Sequence, residues 1–377
     1  MKKKALFLLP LLSAAATAAC CYFAAIDKDV KQPGQRAFIS WDEEAQTESF
    51  TVQPQFEGNA EDFGMVIPTP AKPKLQEMPR DFFKELAIFT ILEPMDLSKY
   101  KMMTRYPSAA NEGARPTSKA SRPAVRVLES GVVGNLDYKI LDVDRADALY
   151  QWLKANRYHY AGDEATLGFY VKQKWNFTVM KIDPRQMKKQ ADGKFLGDVT
   201  PTRFTFHTKK AIYPLRITRI SVKDSTDVLL YVMAKKKMDM DGAWSYEGNF
   251  LSMWSQALSY AIPDKLTSQE RQWQQSLQSK APQPNAQGAQ LEWAGKLTRA
   301  RLDVLTGKKP YNREAPAEDV KKLKILAGHL KQDWYLTKFR KRFQKQEMTQ
   351  DISLIPARIN GSEDDLEYIS ILPTSPP

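Results

Sequence analysis

Residues 36–52 read RAFISWDEEAQTESFTV and contain the pattern that decides the fold. Apolar and polar residues alternate over 36–41 and again over 49–52, which is typical of strands that bury one face. The acidic stretch 42–44 between them has the composition of a solvated turn. The segment therefore predicts a β-hairpin.

Further strand-like segments follow along the chain. Each is rich in the β-branched and aromatic residues that strands favour. They cover residues 125–128, 138–141, 175–182, 203–207, 215–222 and 228–233. These segments predict that antiparallel hairpins form the centre of the fold.

Helical periodicity appears in three places between or before these strands. Asp81 is the predicted N-cap of the first helix, and Asp144 is the predicted N-cap of the second. The third helix is expected from about 163 to 174. The apolar faces of the first two helices are predicted to hold Phe82, Leu86 and Phe89, and Leu149, Trp152 and Leu153.

Beyond residue 250 the composition shifts towards helix-forming residues and positive charge. Residues 251–350 contain 18 Lys and Arg against 9 Asp and Glu, a net charge of +9 in a chain whose net charge is +12. We therefore expect a helical elaboration over about 245–330. The predicted fold class is α+β, with antiparallel β-hairpins, packed helices and this helix-rich C-terminal elaboration.

The first residues have the three-part layout of an export signal. Three lysines, residues 2–4, precede an apolar stretch and then a run of small residues that ends at Ala19. Cleavage, lipidation of Cys20 and retention as an anchor all stay open, because residues 5–26 carry no charge. The state of Cys20 and Cys21 also stays open. Each outcome predicts an exported protein in a periplasmic, extracellular or envelope-associated location.

The predicted organisation is one folded domain with extensions at both ends. The export signal occupies 1–19 and a polar segment follows over 20–34. The single domain spans 35–355, and residues 356–377 form an acidic tail that contains proline.

The sequence lacks the motifs of several common enzyme classes and metal sites. It has no Gly-x-Ser-x-Gly elbow and no glycine-rich phosphate loop. Two cysteines and three histidines exclude an ordinary Cys/His zinc site. Residues 239–242 resemble part of a calcium loop, but Lys237 and Gly248 occupy ligand positions, so a turn is predicted. We assign no catalytic, cofactor-binding or metal-binding residue, and export makes a nucleic-acid partner unexpected.

Acidic residues near the start of the domain support an alternative function. A glycan hydrolase uses two carboxyl groups placed on either side of the scissile bond. The candidate carboxylates are Asp42, Glu43, Glu44, Glu61 and Asp62, with His159 and His207 as further titratable groups. Neighbouring carboxylates in a turn are more often hydrated or capping, so the hydrolase is the alternative reading. His207 lies on the opposite side of a strand pattern from Phe204 and Phe206, so it is predicted to face solvent.

A basic run near the end of the domain is the candidate contact with a partner. Residues 338–345 read KFRKRFQK, and a helix would place Phe339 and Phe343 on one face. Such a face suits an anionic membrane surface or another polyanion. The competing interpretation is an ordinary amphipathic element with both rings in the core. The predicted contact residues are Lys338, Arg340, Lys341, Arg342 and Lys345.

Several phrases of the sequence together resemble a bacterial family known as domain of unknown function 2330. They are Arg36–Trp41, Gln55–Pro70, Asp147–Leu153, Tyr213–Ile217, Val228–Val232, Leu336–Lys338 and Glu347–Asp351. The resemblance implies an exported protein and implies no particular activity. Many members begin with a spaced cysteine pair, but Cys20 and Cys21 are adjacent, so the resemblance does not imply their disulfide here.

The function predicted from these features is that of a noncatalytic envelope protein with a binding or structural role. Its expected partner is an unknown envelope component or an anionic surface, contacted through the basic C-terminal half. Membrane contact is expected only through the N-terminus or a basic face. The alternative is an extracytoplasmic hydrolase acting on an envelope or extracellular polymer through paired carboxylates.

Overall fold

The computed structural model describes residues 22–24, 34–53, 55–58, 64–90, 125–156, 158, 164–182, 188–189, 195–198, 200–222, 224–240, 289–305 and 323–357. The strands in these ranges are β1 (Tyr22–Ala24), β2 (Gly34–Asp42), β3 (Thr47–Val52), β4 (Gln55–Gly58), β5 (Gly64–Thr69), β6 (Lys74–Glu77), β7 (Val125–Val133), β8 (Leu136–Val143), β9 (Asn176–Ile182), β10 (Lys188–Lys189), β11 (Phe195–Asp198), β12 (Thr202–His207), β13 (Ala211–Tyr213), β14 (Ser225–Ala234), β15 (Met238–Met240), β16 (Gln290–Lys296), β17 (Tyr335–Gln344) and β18 (Ile352–Pro356). The helices are α1 (Phe82–Phe89), α2 (Ala146–Ala155), α3 (Glu164–Lys172), α4 (Arg299–Leu305) and α5 (Lys324–Ala327), with 3₁₀ turns at Arg216–Ile220 and Lys345–Glu347.

The predicted hairpin lies at the centre of the largest sheet. This sheet has seven strands in the order β16-β17-β14-β2-β3-β12-β6. Strands β2 and β3 pair antiparallel, with Ala37 opposite Val52 and Asp42 opposite Thr47. On its other side β2 pairs in parallel with β14. The hairpin prediction is confirmed, and the parallel neighbour comes from far along the chain.

Both faces of the seven-stranded sheet are covered, because neighbouring residues of a strand point to opposite faces. Ala37 and Ile39 of β2 belong to a first core, which the sheet shares with β13, β15 and β18. Phe38, between them, belongs to a second core in which α1, α4 and α5 pack. This arrangement explains why β14 is buried along nearly its whole length.

A five-stranded sheet in the order β1-β5-β9-β8-β7 carries the helices α2 and α3. Leu149 and Leu153 of α2 and Leu167 and Tyr170 of α3 are buried in a third core. The 3₁₀ turn contributes Ile217 to the same core. The turn is thereby held against α3, and this contact positions the candidate site.

The α+β prediction with a helix-rich C-terminal elaboration is wrong, because the described residues form a mostly β structure. Of the elaboration expected over about 245–330, residues 241–288 and 306–322 lie outside the described residues. The described remainder begins with β16, which pairs with β17 in the main sheet, and adds the short helices α4 and α5. Trp293 and Ala294 of β16 are buried, so tertiary packing overrides the helical propensity of the segment.

Two further local predictions are wrong. The strand expected over 215–222 is the 3₁₀ turn Arg216–Ile220, in which Thr218 N–H donates to the carbonyl of Leu215. The turn expected at 239–242 begins instead with β15, which pairs with β18. Residues 241 and 242 lie outside the described residues.

Of the two predicted N-cap residues, Asp81 is confirmed and Asp144 is not. Helix α1 begins after Asp81 as predicted, and its buried face contains Phe82, Leu86 and Phe89, although Asp81 makes no side-chain capping bond. Helix α2 has Arg145 at its N-cap rather than Asp144. The side chain of Arg145 donates to Asp147 in the first turn, at 2.6 and 3.1 Å.

Candidate functional site

Tyr170 connects α3 to two distant segments through its hydroxyl group. The hydroxyl donates to Asp351 Oδ1 at 2.7 Å and accepts the backbone N–H of Ile217 at 3.0 Å. Asp351 Oδ1 also accepts the backbone N–H of Arg216 at 3.0 Å. A helix, a 3₁₀ turn and the residue before β18 therefore meet at one buried carboxylate.

Burial gives Asp351 an unusual electrostatic state. It raises the pKa of this carboxyl to about 6, although the hydrogen bonds from Tyr170 and Arg216 lower the pKa in part. The second oxygen, Oδ2, is buried and has no hydrogen-bond partner in the part of the chain that the structure describes. Asp351 thus fixes the backbone at Arg216 while half of its own hydrogen-bonding capacity is unused.

The same cluster holds the side chain of Arg216 in place. Its Nη1 donates to the carbonyl of Thr349 at 2.7 Å. Its guanidinium carbon lies 4.3 Å from the ring centre of Phe169, a cation–π contact. Its Nε is buried and has no partner among the described residues. The guanidinium is therefore positioned by two segments, the one that contains Thr349 and helix α3, and its unpartnered Nε is buried.

A groove of about 580 Å³, open to solvent, runs beside this guanidinium. The residues that line it are Ala146, Glu164, Ala165, Gly168, Phe169, Lys172, Gln173 and Arg216. Six of these follow a single stripe of α3 and the turn after it, because residues three and four apart share a helix face. The stripe leaves α3 with one face in the core and the opposite face in the groove.

The lining suits binding better than covalent chemistry. Arginine recognises carboxylates and phosphates through a planar set of donors, and its aromatic contact reduces the freedom it loses on binding. The eight residues that line the groove include no Ser, Thr, Cys or His, and Glu164 is their single carboxylate. The groove offers recognition of an oxyanion and, within this lining, neither a nucleophile nor a carboxylate pair.

The carboxylates named for the hydrolase alternative are not gathered in this groove. Glu43 and Glu44 lie exposed on the turn between β2 and β3, where they pair with Lys236 at 2.8 Å and Lys235 at 2.6 Å. Asp42 Oδ1 accepts the N–H of Ala45 at 3.2 Å. Glu61 and Asp62 lie outside the described residues.

The two histidines named with them also lie apart from the groove. His207 is exposed, as predicted, and its Nδ1 lies 3.3 Å from the hydroxyl of Thr47. His159 lies outside the described residues. Within the ranges that the structure describes, no group of three or more His, Cys, Asp or Glu side chains is arranged to hold a metal ion.

The basic run forms an interior strand and not a helix. Residues 338–344 belong to β17, which pairs with β14 on one side and β16 on the other. Phe339 and Phe343 are buried in the first core. The rings therefore share one face, as expected from their spacing, because a separation of four also preserves the side of a strand.

The basic side chains of residues 338–345 differ in their burial and in their partners. Lys338 is buried, with its Nζ 5.8 Å from the ring centre of Tyr231. Arg342 is exposed and makes two hydrogen bonds to Asp227, at 2.6 and 2.9 Å. Lys341 lies near the carboxylate of Glu347, and Arg340 and Lys345 are half-buried. Whether these residues contact a polyanion stays a prediction.

Glu48, which the sequence did not single out, is fully buried in β3. Its Oε2 accepts the backbone N–H of Ile212 at 2.9 Å, and Oε1 has no partner among the described residues. Burial raises the pKa of this carboxyl to about 8. The side chain links β3 to β13 and lies in the core, so its role is structural.

Tyr170, Arg216 and Asp351 were likewise not predicted as site residues from the sequence. A signal was present, because Arg216 and Asp351 fall in two of the phrases that carry the family resemblance, Tyr213–Ile217 and Glu347–Asp351. Nothing in the sequence indicates that these two phrases meet. Their contact depends on the antiparallel pairing of β13 with β18, which brings the segment after Tyr213 close to Asp351.

The predicted export signal over residues 1–19 lies outside the described residues, as do Cys20, Cys21 and residues 358–377 of the acidic tail. None of the helices in the described ranges has the length and apolar composition needed to cross a membrane. Lipidation of Cys20 and the location of the protein stay predictions.

Comparisons with known proteins give one family. The model of a family described as "uncharacterized protein conserved in bacteria" (DUF2330) matches residues 14–355. No curated protein matches the chain significantly. The crystal structure of baculovirus P35 aligns with 93% of this chain and 100% of that chain, at 10% identity and a TM-score of 0.29. A TM-score this low does not establish a shared fold.

Proposed function

The chain belongs to DUF2330, the family of uncharacterized proteins conserved in bacteria, and on this premise we propose that it is an exported, noncatalytic binding module of the bacterial envelope. Its binding site is the groove beside Arg216, and its ligand is an envelope component with an oxyanion. The proposal of export rests on the lysine-rich, apolar and small-residue order of residues 1–19.

The observation that carries the binding role is the position of Arg216. An arginine on an aromatic ring at the side of an open groove is arranged for oxyanion recognition. The hydrogen bond to Asp351 holds the backbone of Arg216, so little reorganisation of this arginine is needed when a ligand binds. The groove volume is within the range of small-molecule sites.

The described residues give no comparable support to the hydrolase alternative. A hydrolase of this type needs two carboxyl groups that face each other across a concave site. Glu43 and Glu44 instead pair with lysines on an exposed turn. The binding role is therefore the function that the geometry favours.

The test of the binding role uses a simple monocarboxylate, N-acetylalanine, titrated into the mature protein at low salt. We expect saturable shifts in the NMR signals of α3, and their loss in the Arg216→Gln variant. Lys154→Gln is the matched control, because Lys154 is an exposed cation on α2 that does not line the groove. Equal binding by both variants would contradict the assignment of this groove.

The test of export is N-terminal sequencing of protein isolated from the source cells. We expect the mature chain to begin near Ala19 or Cys20. A chain that retains Met1 in the cytoplasm would contradict export, and one that retains Met1 in the membrane fraction would indicate an uncleaved anchor.

A further inference from the structure

The charges that line the groove have a definite order along α3. Glu164 is the first residue of the helix and Lys172 is the last, and both line the groove with Gly168 between them. Eight residues of α-helix span about 12 Å. The groove is therefore acidic at one end and basic at the other.

The charges of Glu164 and Lys172 also stabilise helix α3, and this effect is independent of ligand binding. An acidic first turn and a basic last turn both stabilise a helix through its dipole. Arg216 is not part of α3, and the helix dipole gives no reason for its position over Phe169. The basic end is thus built from two separate elements, and only one of them serves the helix.

From this order we infer that the ligand is a short zwitterionic peptide, about three residues long, bound extended along α3. This inference rests on the proposed function and names the ligand class of the same groove. Its carboxylate lies at Arg216 and Lys172, and its ammonium group lies at Glu164. An extended tripeptide spans about 10 Å, which matches the separation of the charged ends.

The uncharged lining fits the same ligand. Between the charged ends the groove is lined by Ala146, Ala165 and Gly168. These are the smallest residues of the lining, so no bulky side chain from them projects into the groove. The small size of these residues favours a ligand with small side chains such as that of alanine.

The charge balance distinguishes a zwitterion from a polyanion. Two cations and one carboxylate give the lining a net charge of +1. A polymer with repeated negative charges would place one of them near Glu164, where like charges repel. A zwitterion pairs with both ends, so it is the better match for this groove.

The experiment compares three probes on the mature full-length protein by isothermal titration at low salt. They are tri-alanine, N-acetyl-tri-alanine and tri-alanine amide. We expect acetylation to weaken binding to the wild type about tenfold, which is 1.4 kcal/mol, and to have no effect on the Glu164→Gln variant. Amidation is expected to weaken binding to the wild type about tenfold and to have a clearly smaller effect on Arg216→Gln, in which Lys172 is the remaining cation at that end.

The outcomes separate this inference from the proposed function. If N-acetyl-tri-alanine binds the wild type as tightly as tri-alanine does, the zwitterion inference is overturned and the oxyanion groove stands. If no probe requires Arg216, both fail. Because Arg216→Gln removes the bond to Thr349 and can unfold the site, Ala165→Trp is the second variant. Ala165 is exposed, so the larger ring is expected to fill the groove and abolish binding without loss of the fold.

Discussion

The hydroxyl of Tyr170 lies 2.7 Å from Asp351 Oδ1, and the two residues are separated by 181 positions in the chain. This bond joins a helix on the five-stranded sheet to the residue that precedes β18. It is the contact on which the backbone position of Arg216 depends, since Asp351 and Tyr170 accept the N–H groups of Arg216 and Ile217. The site is therefore assembled only when the distant parts of the chain have folded together.

The Tyr170→Phe variant tests this relationship. Removal of the hydroxyl leaves the N–H of Ile217 without its partner and takes one donor from Asp351. We expect a loss of about 1–3 kcal/mol in the free energy of unfolding, measured by urea denaturation. The control is a double-mutant cycle with Asp351→Ala, which removes the acceptor of the Tyr170 hydroxyl. Strictly additive effects of the two substitutions would show that the bond does not contribute in solution.

The buried acids predict that stability falls as the pH rises. Glu48 has an ordinary pKa of 4.5 and a folded pKa of about 8, so between these values the unfolded chain releases a proton that the folded chain keeps. The stability contributed by neutral Glu48 is complete below pH 4.5 and is lost as the pH approaches 8, by up to about 1.4 kcal/mol per pH unit. Asp351 acts in the same direction from 3.8 to about 6.

The measurement is the free energy of unfolding between about pH 5 and pH 8, for the wild type and for Glu48→Gln. The variant is expected to show a much flatter dependence, because it cannot ionise. Glu43→Gln is the matched control, since Glu43 is exposed and is expected to leave the slope unchanged. The same slope in Glu48→Gln and the wild type would mean that Glu48 is not buried as described.

Gly168 is predicted to be a position where alanine stabilises the protein. It lies inside α3, where glycine costs about 0.5–1 kcal/mol relative to alanine, and the added methyl meets only Ala146 Cβ at 3.8 Å. Gly134→Ala is the contrasting variant, because Gly134 has a φ of +58° and the added Cβ would lie 2.8 Å from Thr200 Cβ. Thermal unfolding should show a higher midpoint for Gly168→Ala and a lower one for Gly134→Ala. A lower midpoint for both variants would contradict this prediction, because it would show that a methyl group does not fit at Gly168.

Contact of the basic strand β17 with an anionic surface stays a prediction, and a triple substitution tests it. Near a membrane each basic residue contributes about 1 kcal/mol, so glutamine at Arg340, Lys341 and Arg342 is expected to remove up to about 3 kcal/mol of binding to anionic liposomes. Asp227→Asn is the control in the other direction, since it frees Arg342 from its ion pair and should strengthen binding. Cosedimentation at low and physiological salt measures both. If binding depends neither on salt nor on these substitutions, the prediction is contradicted and β17 has a structural role only.

Local sequence patterns correctly predicted those strands and helices whose buried positions follow from the residue order within the segment itself. The β2–β3 hairpin and helix α1 follow from residue periodicity, because the spacing of buried residues is a property of each segment. Trp152 shows the limit of this reasoning. It lies on α2 as expected but is only partly buried, stacked on Tyr158 at 5.9 Å, since the core contacts of α2 are made by Leu149 and Leu153.

The site could not be predicted in the same way, because its members come from separate segments. Tyr170 is an ordinary core aromatic within its helix pattern, and Asp351 is an isolated acid. Only the fold places the two side chains together beside Arg216. The strand β16 was missed for a related reason, since its pairing with β17 decides its structure and its composition does not.

A crystal structure of the mature protein with tri-alanine bound tests the groove beside Arg216 most directly. We expect an extended peptide along α3, with its carboxylate within hydrogen-bonding distance of the Arg216 guanidinium and its ammonium group beside Glu164. A peptide bound elsewhere, or a carboxylate that makes no contact with Arg216, would contradict the assignment of this groove as the binding site.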